Sequence, residues 1–198
     1  MPKLIDHEKR REQIAEATWR IVLERGMEGA TVRNIAKEAG LSLGALRHYF
    51  ATQDELLIYA MTLVKERATA RIAKIASQEP FTPKEQIIRL LLELVPTNQE
   101  KMAEAEVWFA FTAYFRHKQD VFDAMHDGIY AGLQKVMNYA EQVGLLPKKM
   151  DKELETEKLY AIVDGLALHA LLDPKRLDGK QMERILVQHL TELFERGL

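Results

Sequence analysis

Apolar residues recur along this chain at intervals of three and four, the period of one helix face, and form no convincing strand. The first such stretch runs from about His7 to Arg25, with Asp6 as its N-cap and Ile14, Ala17, Thr18, Ile21 and Val22 inward. Arg25 and Gly26 end it, a cation in the last turn followed by a C-cap glycine. Two short helices follow, about Val32 to Ala39 and Leu43 to Tyr49, each preceded by an N-cap type, Thr31 and Ser42. Thr52 and Glu55 form a capping box that opens a long helix fading near Ser77. Thr82, Pro83 and Glu85 open another, whose apolar run from Ile87 to Val95 stops at Pro96. Further helices are expected from Asn98 through Phe115, from Lys118 to Val143, from Asp151 to Leu172 and from Lys180 to Arg196. The pattern therefore predicts an all-α chain of about nine helices. A boundary near Ala51 divides it into residues 1–50 and 51–198.

The two short helices are the most informative stretch. Val32, Ile35 and Ala36 face inward on the first, and Leu46 and one side of Tyr49 on the second. Gly40 supplies a left-handed turn between them, and Leu41 fills the corner. This is the spacing of a helix-turn-helix, whose second helix lies in a DNA major groove. An ordinary helical hairpin has the same inner face. The outer face separates the two readings, because Ser42, Gly44, Ala45, Arg47 and His48 are small or hydrogen-bonding and make a poor core.

Composition narrows the remaining classes. The 198 residues are 47% apolar and 29% charged, a globular mix long enough for a sizeable core. There is no cysteine, so disulfides, thiolate metal sites and cysteine nucleophiles are excluded. The start lacks a signal peptide's apolar stretch, and no run approaches the roughly 18 apolar residues of a membrane span. A soluble, cytoplasmic chain with no membrane association is expected. The net charge is -2, yet residues 1–50 hold nine Lys/Arg against seven Asp/Glu. Charge thus permits nucleic-acid binding without demonstrating it.

Residues 10 to 60 resemble the DNA-binding domain of the TetR family of bacterial regulators. The resemblance rests on TVRNIAKEAGLSLGALRHYF at 31–50 and Glu55, Leu56 and Leu57 beyond it. Two positions depart from the family pattern: Arg47 stands where Tyr is usual, and Gln53 replaces a phosphate-contacting Lys. The resemblance implies that Thr31, Arg33 and Tyr49 hold phosphates, while Ser42, Leu43, Gly44, Ala45, Arg47 and His48 face the groove or its rim. Lys3, Arg10 and Arg11 are further candidates for phosphate. Residues 161–174, AIVDGLALHALLDP, are similar to the C-terminal domain of the BetI-like subgroup.

The resemblance to TetR-like proteins implies that the last two helices pair with their copies across a two-fold axis. Here the penultimate helix carries Leu159, Ile162, Val163, Leu166 and Ala170 on one face, with Leu168, Leu171 and Leu172 along a second edge. The last carries Met182, Ile185, Leu186, His189 and Leu193. The homodimer seam is accordingly expected at Val163, Leu166, Met182, Leu186, His189 and Leu193. Trp108, Phe111, Tyr114 and Phe115 fall within about 120° on one helix. They are either hydrophobic core or the wall of a cavity for an unknown small-molecule effector. Asp123 and His126 share a face, but one such pair is a weak metal signal, and no catalytic constellation or cofactor motif occurs. The expected function is a homodimeric repressor released from a palindromic DNA operator by a small molecule. The alternative is a helical-bundle enzyme or carrier that keeps a helix-turn-helix as scaffold.

Overall fold

The computed structural model describes residues 7–77 and 81–195, with 119–127 described for the backbone alone. Lys3, Asp6, Arg196 and the side chains of Asp123 and His126 lie outside the described residues. Nine helices and no strand occur among the described residues. They are α1 (His7–Gly29), α2 (Val32–Glu38), α3 (Leu43–Tyr49), α4 (Gln53–Ala76), α5 (Pro83–Leu92), α6 (Gln99–Phe115), α7 (Gln119–Gln142), α8 (Lys152–Leu172) and α9 (Gly179–Glu195). None of them is long and apolar enough to cross a membrane. Gly26 interrupts α1 with φ 66° and ψ -177°, a conformation closed to most side chains, so the regular helix stops where the sequence places its C-cap.

The chain divides into two compact units. The first comprises Met1–Arg67 and Glu106–Arg116, the second Ala68–Ala105 and His117–Leu198. Both α4 and α6 therefore contribute residues to each unit.

In the first unit α1, α2 and α3 pack on one another. Its buried residues include Ile14, Ala15, Ala17, Thr18, Ile21 and Val22 of α1, Ile35 and Ala36 of α2, Leu46 of α3, Leu56, Leu57, Ala60, Met61 and Val64 of α4, and Phe111 and Phe115 of α6. Thr18 pays no penalty for burial, since its hydroxyl donates to the Ile14 carbonyl one turn back. A row of polar links ties α4 to α1. The Tyr59 hydroxyl donates to Glu8 at 2.6 Å, the Trp19 indole donates to the Ala60 carbonyl at 3.0 Å, and Arg67 pairs with Glu16 at 2.7 Å. Arg67 also lies over the Trp19 ring, 4.5 Å from its centroid.

In the second unit α5 packs on α7 and α9, and α8 on α7 and α9. The core is drawn from all four helices, including Ile87 and Leu91, Leu133 and Met137, Leu159 and Val163, and Met182, Leu186 and Leu190. Thr82 and Glu85 form the expected capping box, with Glu85 N–H donating to the threonine hydroxyl and Thr82 N–H to the carboxylate. The α5 helix ends at Leu92, short of Pro96, because Glu93 and Leu94 turn tightly onto the carbonyls of Leu90 and Leu91.

Four charged side chains join α4, α5 and α6. Arg71 binds Glu104 with two N–H groups, at 2.6 and 3.0 Å, and Glu93 with a third at 2.8 Å. Lys101 reaches Glu93 at 2.8 Å and the Leu92 carbonyl at 3.0 Å. Burial acts to raise the Glu93 pKa, but hydrogen bonds from Lys101 and Arg71 outweigh it, and the carboxyl is held below its ordinary range. A carboxyl depressed in the folded state stabilises the fold above its unfolded pKa and loses that contribution as pH falls through its folded value. Glu93→Gln is accordingly expected to lower the urea midpoint at about pH 7, and the gap from the native protein should close below about pH 4. A gap of equal size at both pH values would show that Glu93 stabilises the fold by shape alone.

Candidate nucleic-acid interface

Local chemistry sets the ends of α2 and α3. The Thr31 hydroxyl accepts from Asn34 N–H at 3.2 Å, and the Ser42 hydroxyl accepts from Ala45 N–H at 3.1 Å. Both residues are extended, as N-caps are. Between them Gly40 sits at φ 67°, with Gly40 N–H on the Lys37 carbonyl and Leu41 N–H on the Ala36 carbonyl. That pair of bonds is a Schellman closure. It satisfies the last carbonyls of α2 while reversing the chain within three residues. Leu46 and Phe50 are buried beneath the second helix at 1% exposure each. The outer face of α3 cannot rotate away from solvent while those anchors hold.

The expected contacts are exposed or half-buried. Thr31, Arg33, Ser42, Gly44, Arg47 and His48 are exposed, while Leu43, Ala45 and Tyr49 are half-buried. The capping bonds use hydroxyl lone pairs only, so Thr31 and Ser42 retain an O–H to donate outward. Among the described residues neither Arg33 nor Arg47 has an ion-pair partner, whereas the nearby Glu38 is neutralised by Arg20 at 2.7 Å. A Cβ added at Gly44 would meet nothing within 4 Å. The fold itself therefore does not require glycine there.

Two arginines, one amide and one imidazole have roles that spacing does not reveal. Arg10 donates to Gln13 at 2.7 Å. Arg11 lies over both the Phe50 and Tyr59 rings, 4.7 and 4.4 Å from their centroids, and is held at this packed pair of aromatics. Gln53, standing where a phosphate-binding Lys is usual, donates its amide to the Ala30 carbonyl at 2.9 Å and ties the start of α4 to the loop before α2. His7 is the residue that sequence reasoning missed. Its ring lies 4.8 Å from Tyr49 and 6.3 Å from His48, and no local pattern signals a contact across forty residues.

The aromatic face of α6 is uneven. Phe111 and Phe115 are fully buried with ring centroids 6.1 Å apart, Trp108 is half-buried, and Tyr114 keeps 39% of its surface. All four belong to the first unit. Of the residues expected at the dimer seam, Val163, Leu166, Met182, Leu186 and Leu193 are buried in the core of their own chain. His189 is half-buried beside them. The large apolar residues exposed on α8 and α9 are instead Leu154, Leu168, Leu172 and Ile185, with Leu172 at 71%.

Comparison with known proteins agrees with this geometry. Residues 14–60 match the family described as bacterial regulatory proteins of the tetR family, and residues 83–195 match the BetI-type transcriptional repressor C-terminal family. The HTH-type transcriptional regulator PksA of Bacillus subtilis is 61% identical over 98% of this chain and 94% of its own length. A transcriptional regulator from Rhodococcus sp. Rha1 superposes with a TM-score of 0.79 at 27% identity, covering 94% of this chain and 96% of its own. The fold is shared with a regulator from Saccharomonospora viridis solved in complex with choline, at a TM-score of 0.74 and 22% identity over 95% and 96% of the two chains. These relatives are transcriptional regulators rather than enzymes, which sets aside the enzyme or carrier alternative. Capped helices around a Schellman turn, with a solvent-facing polar α3 and a BetI-type C-terminal half, place this chain in the TetR family of DNA-binding transcriptional regulators.

Proposed function

We propose that the protein acts as a homodimeric repressor that reads a palindromic operator with one α3 per half-site and leaves it when a small molecule binds. The observation that carries this reading is the outer face of α3. It is held rigid by Leu46 and Phe50 and furnished with donors from Ser42 to Tyr49. Thr31, Arg33 and Tyr49 hold phosphates, and Ser42, Leu43, Gly44, Ala45, Arg47 and His48 meet base edges or the groove rim. Two such helices on a symmetric dimer sum their energies over both half-sites.

The dimer forms through α8 and α9, as family regulators do, but through the edge the core leaves open. Leu168 and Leu172 stand one turn apart, and Gly165 one turn before Leu168 leaves room for a close helix approach. Ile185 continues the apolar surface on α9.

The test is a salt titration on a duplex obtained by in vitro selection. Affinity should fall by about 10³ between about 50 and 200 mM salt for a dimer making six or more phosphate contacts. Arg33→Ala should flatten that slope, while Tyr49→Phe should lower affinity without changing it, since a phenol releases no counterion. An unaltered slope in Arg33→Ala would remove Arg33 from the phosphate contacts.

For the effector, Trp108 and Tyr114 provide the accessible aromatic surface and Phe111 and Phe115 brace it. The choline-bound fold relative makes choline the first probe. A ligand that fits raises the melting temperature by mass action and, by reciprocity, weakens operator binding. Trp108→Ala should lose both responses together. Retention of both would place the effector away from α6.

A further inference from the structure

His7, on the first turn of α1, is packed against the recognition helix, and its contacts suggest more than support. Its imidazole stacks on Tyr49 at 4.8 Å with the planes tilted by 37°, and meets His48 edge-on at 6.3 Å. His48 and Tyr49 make the third side of the triangle, 5.7 Å apart at 80°. His7 and His48 are both exposed, so nothing in the fold requires an imidazole at either place. An aliphatic or phenyl group would fill the same exposed space.

Charged side chains neighbour this triad in the chain. Exposed Arg47 precedes His48 on α3, and Glu8, Lys9, Arg10 and Arg11 follow His7 on α1. Glu8 is engaged by the Tyr59 hydroxyl of α4 at 2.6 Å, Arg10 by Gln13, and Arg11 by the Phe50 and Tyr59 rings. Glu8 is thus already hydrogen-bonded, and among the described residues no ion pair joins a carboxylate to either imidazole.

We propose that His7 is an additional DNA-contacting residue, and that with His48 it makes operator affinity depend on proton uptake. This rests on the reading of the α3 face, in which Tyr49 holds a phosphate. A residue stacked on that phenol lies at the same stretch of the DNA backbone. Imidazole changes charge between about pH 5 and 8, and only its cation adds a Coulombic contact to a phosphate. Next to the phosphate backbone the protonated form is favoured, so complex formation draws protons from solution. Linkage then fixes the sign, because a complex that holds more protons than its free parts weakens as pH rises. The contact is to backbone rather than bases, so it strengthens binding to every sequence alike. The protein would grip its operator more firmly in acidified cytoplasm and loosen at alkaline pH, with no effector present.

The experiment uses the full-length protein and the duplex enriched by in vitro selection against it at pH 7. Affinity is measured from about pH 6 to pH 8 at constant ionic strength. The wild type should weaken at least about tenfold across that range. His7→Phe, which preserves ring packing, should flatten the profile and bind several-fold more weakly at pH 6. His7→Arg, charged at every pH tested, should bind at pH 8 about as tightly as wild type does at pH 6. Melting curves of all three proteins separate binding from folding. A wild-type profile that is flat, or one that His7→Phe reproduces unchanged, would overturn the proposal. Weak binding by His7→Arg at both pH values would reduce His7 to a packing residue for Tyr49. Failure of selection to enrich any duplex would instead strike the reading of α3 itself.

Discussion

Leu186→Glu is expected to unfold the second unit rather than split a dimer into intact monomers. Leu186 is 0% exposed and packed within a core drawn from α5, α7, α8 and α9. The substitution removes an apolar side chain whose loss from a core alone costs about 2–5 kcal/mol. It also asks a carboxylate either to stay charged without a partner or to protonate, at a further few kcal/mol. Against a total stability of about 5–15 kcal/mol, that is enough to abolish folding. Circular dichroism should show lost helicity, and the protein should elute aggregated. Leu172→Glu is the counterpart. At 71% exposure it gives up little of its own chain's packing, so helicity and melting should stay close to wild type. If α8 pairs with its copy along Leu168 and Leu172, that mutant should sediment as a folded monomer and lose operator binding. A dimeric Leu172→Glu protein would move the seam elsewhere on α8 and α9.

Gly44 is expected to give the opposite dissociation of stability from function. A methyl group there meets nothing in the protein, and an alanine is better than a glycine inside a helix by about 0.5–1 kcal/mol. Gly44→Ala should therefore melt slightly higher than wild type. Gly44→Gln should also fold, because open space lies above the position. If α3 lies in the groove as proposed, both should bind DNA worse, because a side chain at this position would hold the backbone away from the bases. If each half-site loses about 1–3 kcal/mol, a dimer loses roughly 2–6 kcal/mol, or about thirty-fold to twenty-thousand-fold in affinity. An affinity unchanged in Gly44→Gln would turn this face of α3 away from the groove.

These two expectations also show what periodicity can and cannot establish. Thr31, Ser42, Gly40 and the Thr82 and Glu85 pair were legible because each acts on backbone within a few residues, so the signal is local. The α8 stripe was legible as apolar but not as to partner. Leu159, Val163 and Leu166 face the chain's own helices, while Leu168 and Leu172 remain outside, and a spacing rule treats both edges alike. The contacts of His7 with Tyr49 and of Gln53 with Ala30 were illegible for a simpler reason. They join residues distant in sequence, and nothing near either end requires them.

The links between α1 and α4 bear on how this regulator could be recombined with others. Tyr59 to Glu8, Trp19 to Ala60 and Arg67 to Glu16 make α4 part of the structure that holds the hairpin. A fragment cut after Phe50 would lose Leu56, Leu57, Ala60 and Met61, all 0% exposed, and with them a large share of the unit's interior. The chain also returns to that unit at Glu106–Arg116, bringing Phe111 and Phe115. A hybrid regulator joined just past the recognition helix would therefore inherit the reading head without its interior. A junction beyond Arg67, with α6 taken from the same parent, keeps the DNA-reading half whole, and such chimeras should outlive the shorter ones in the cell.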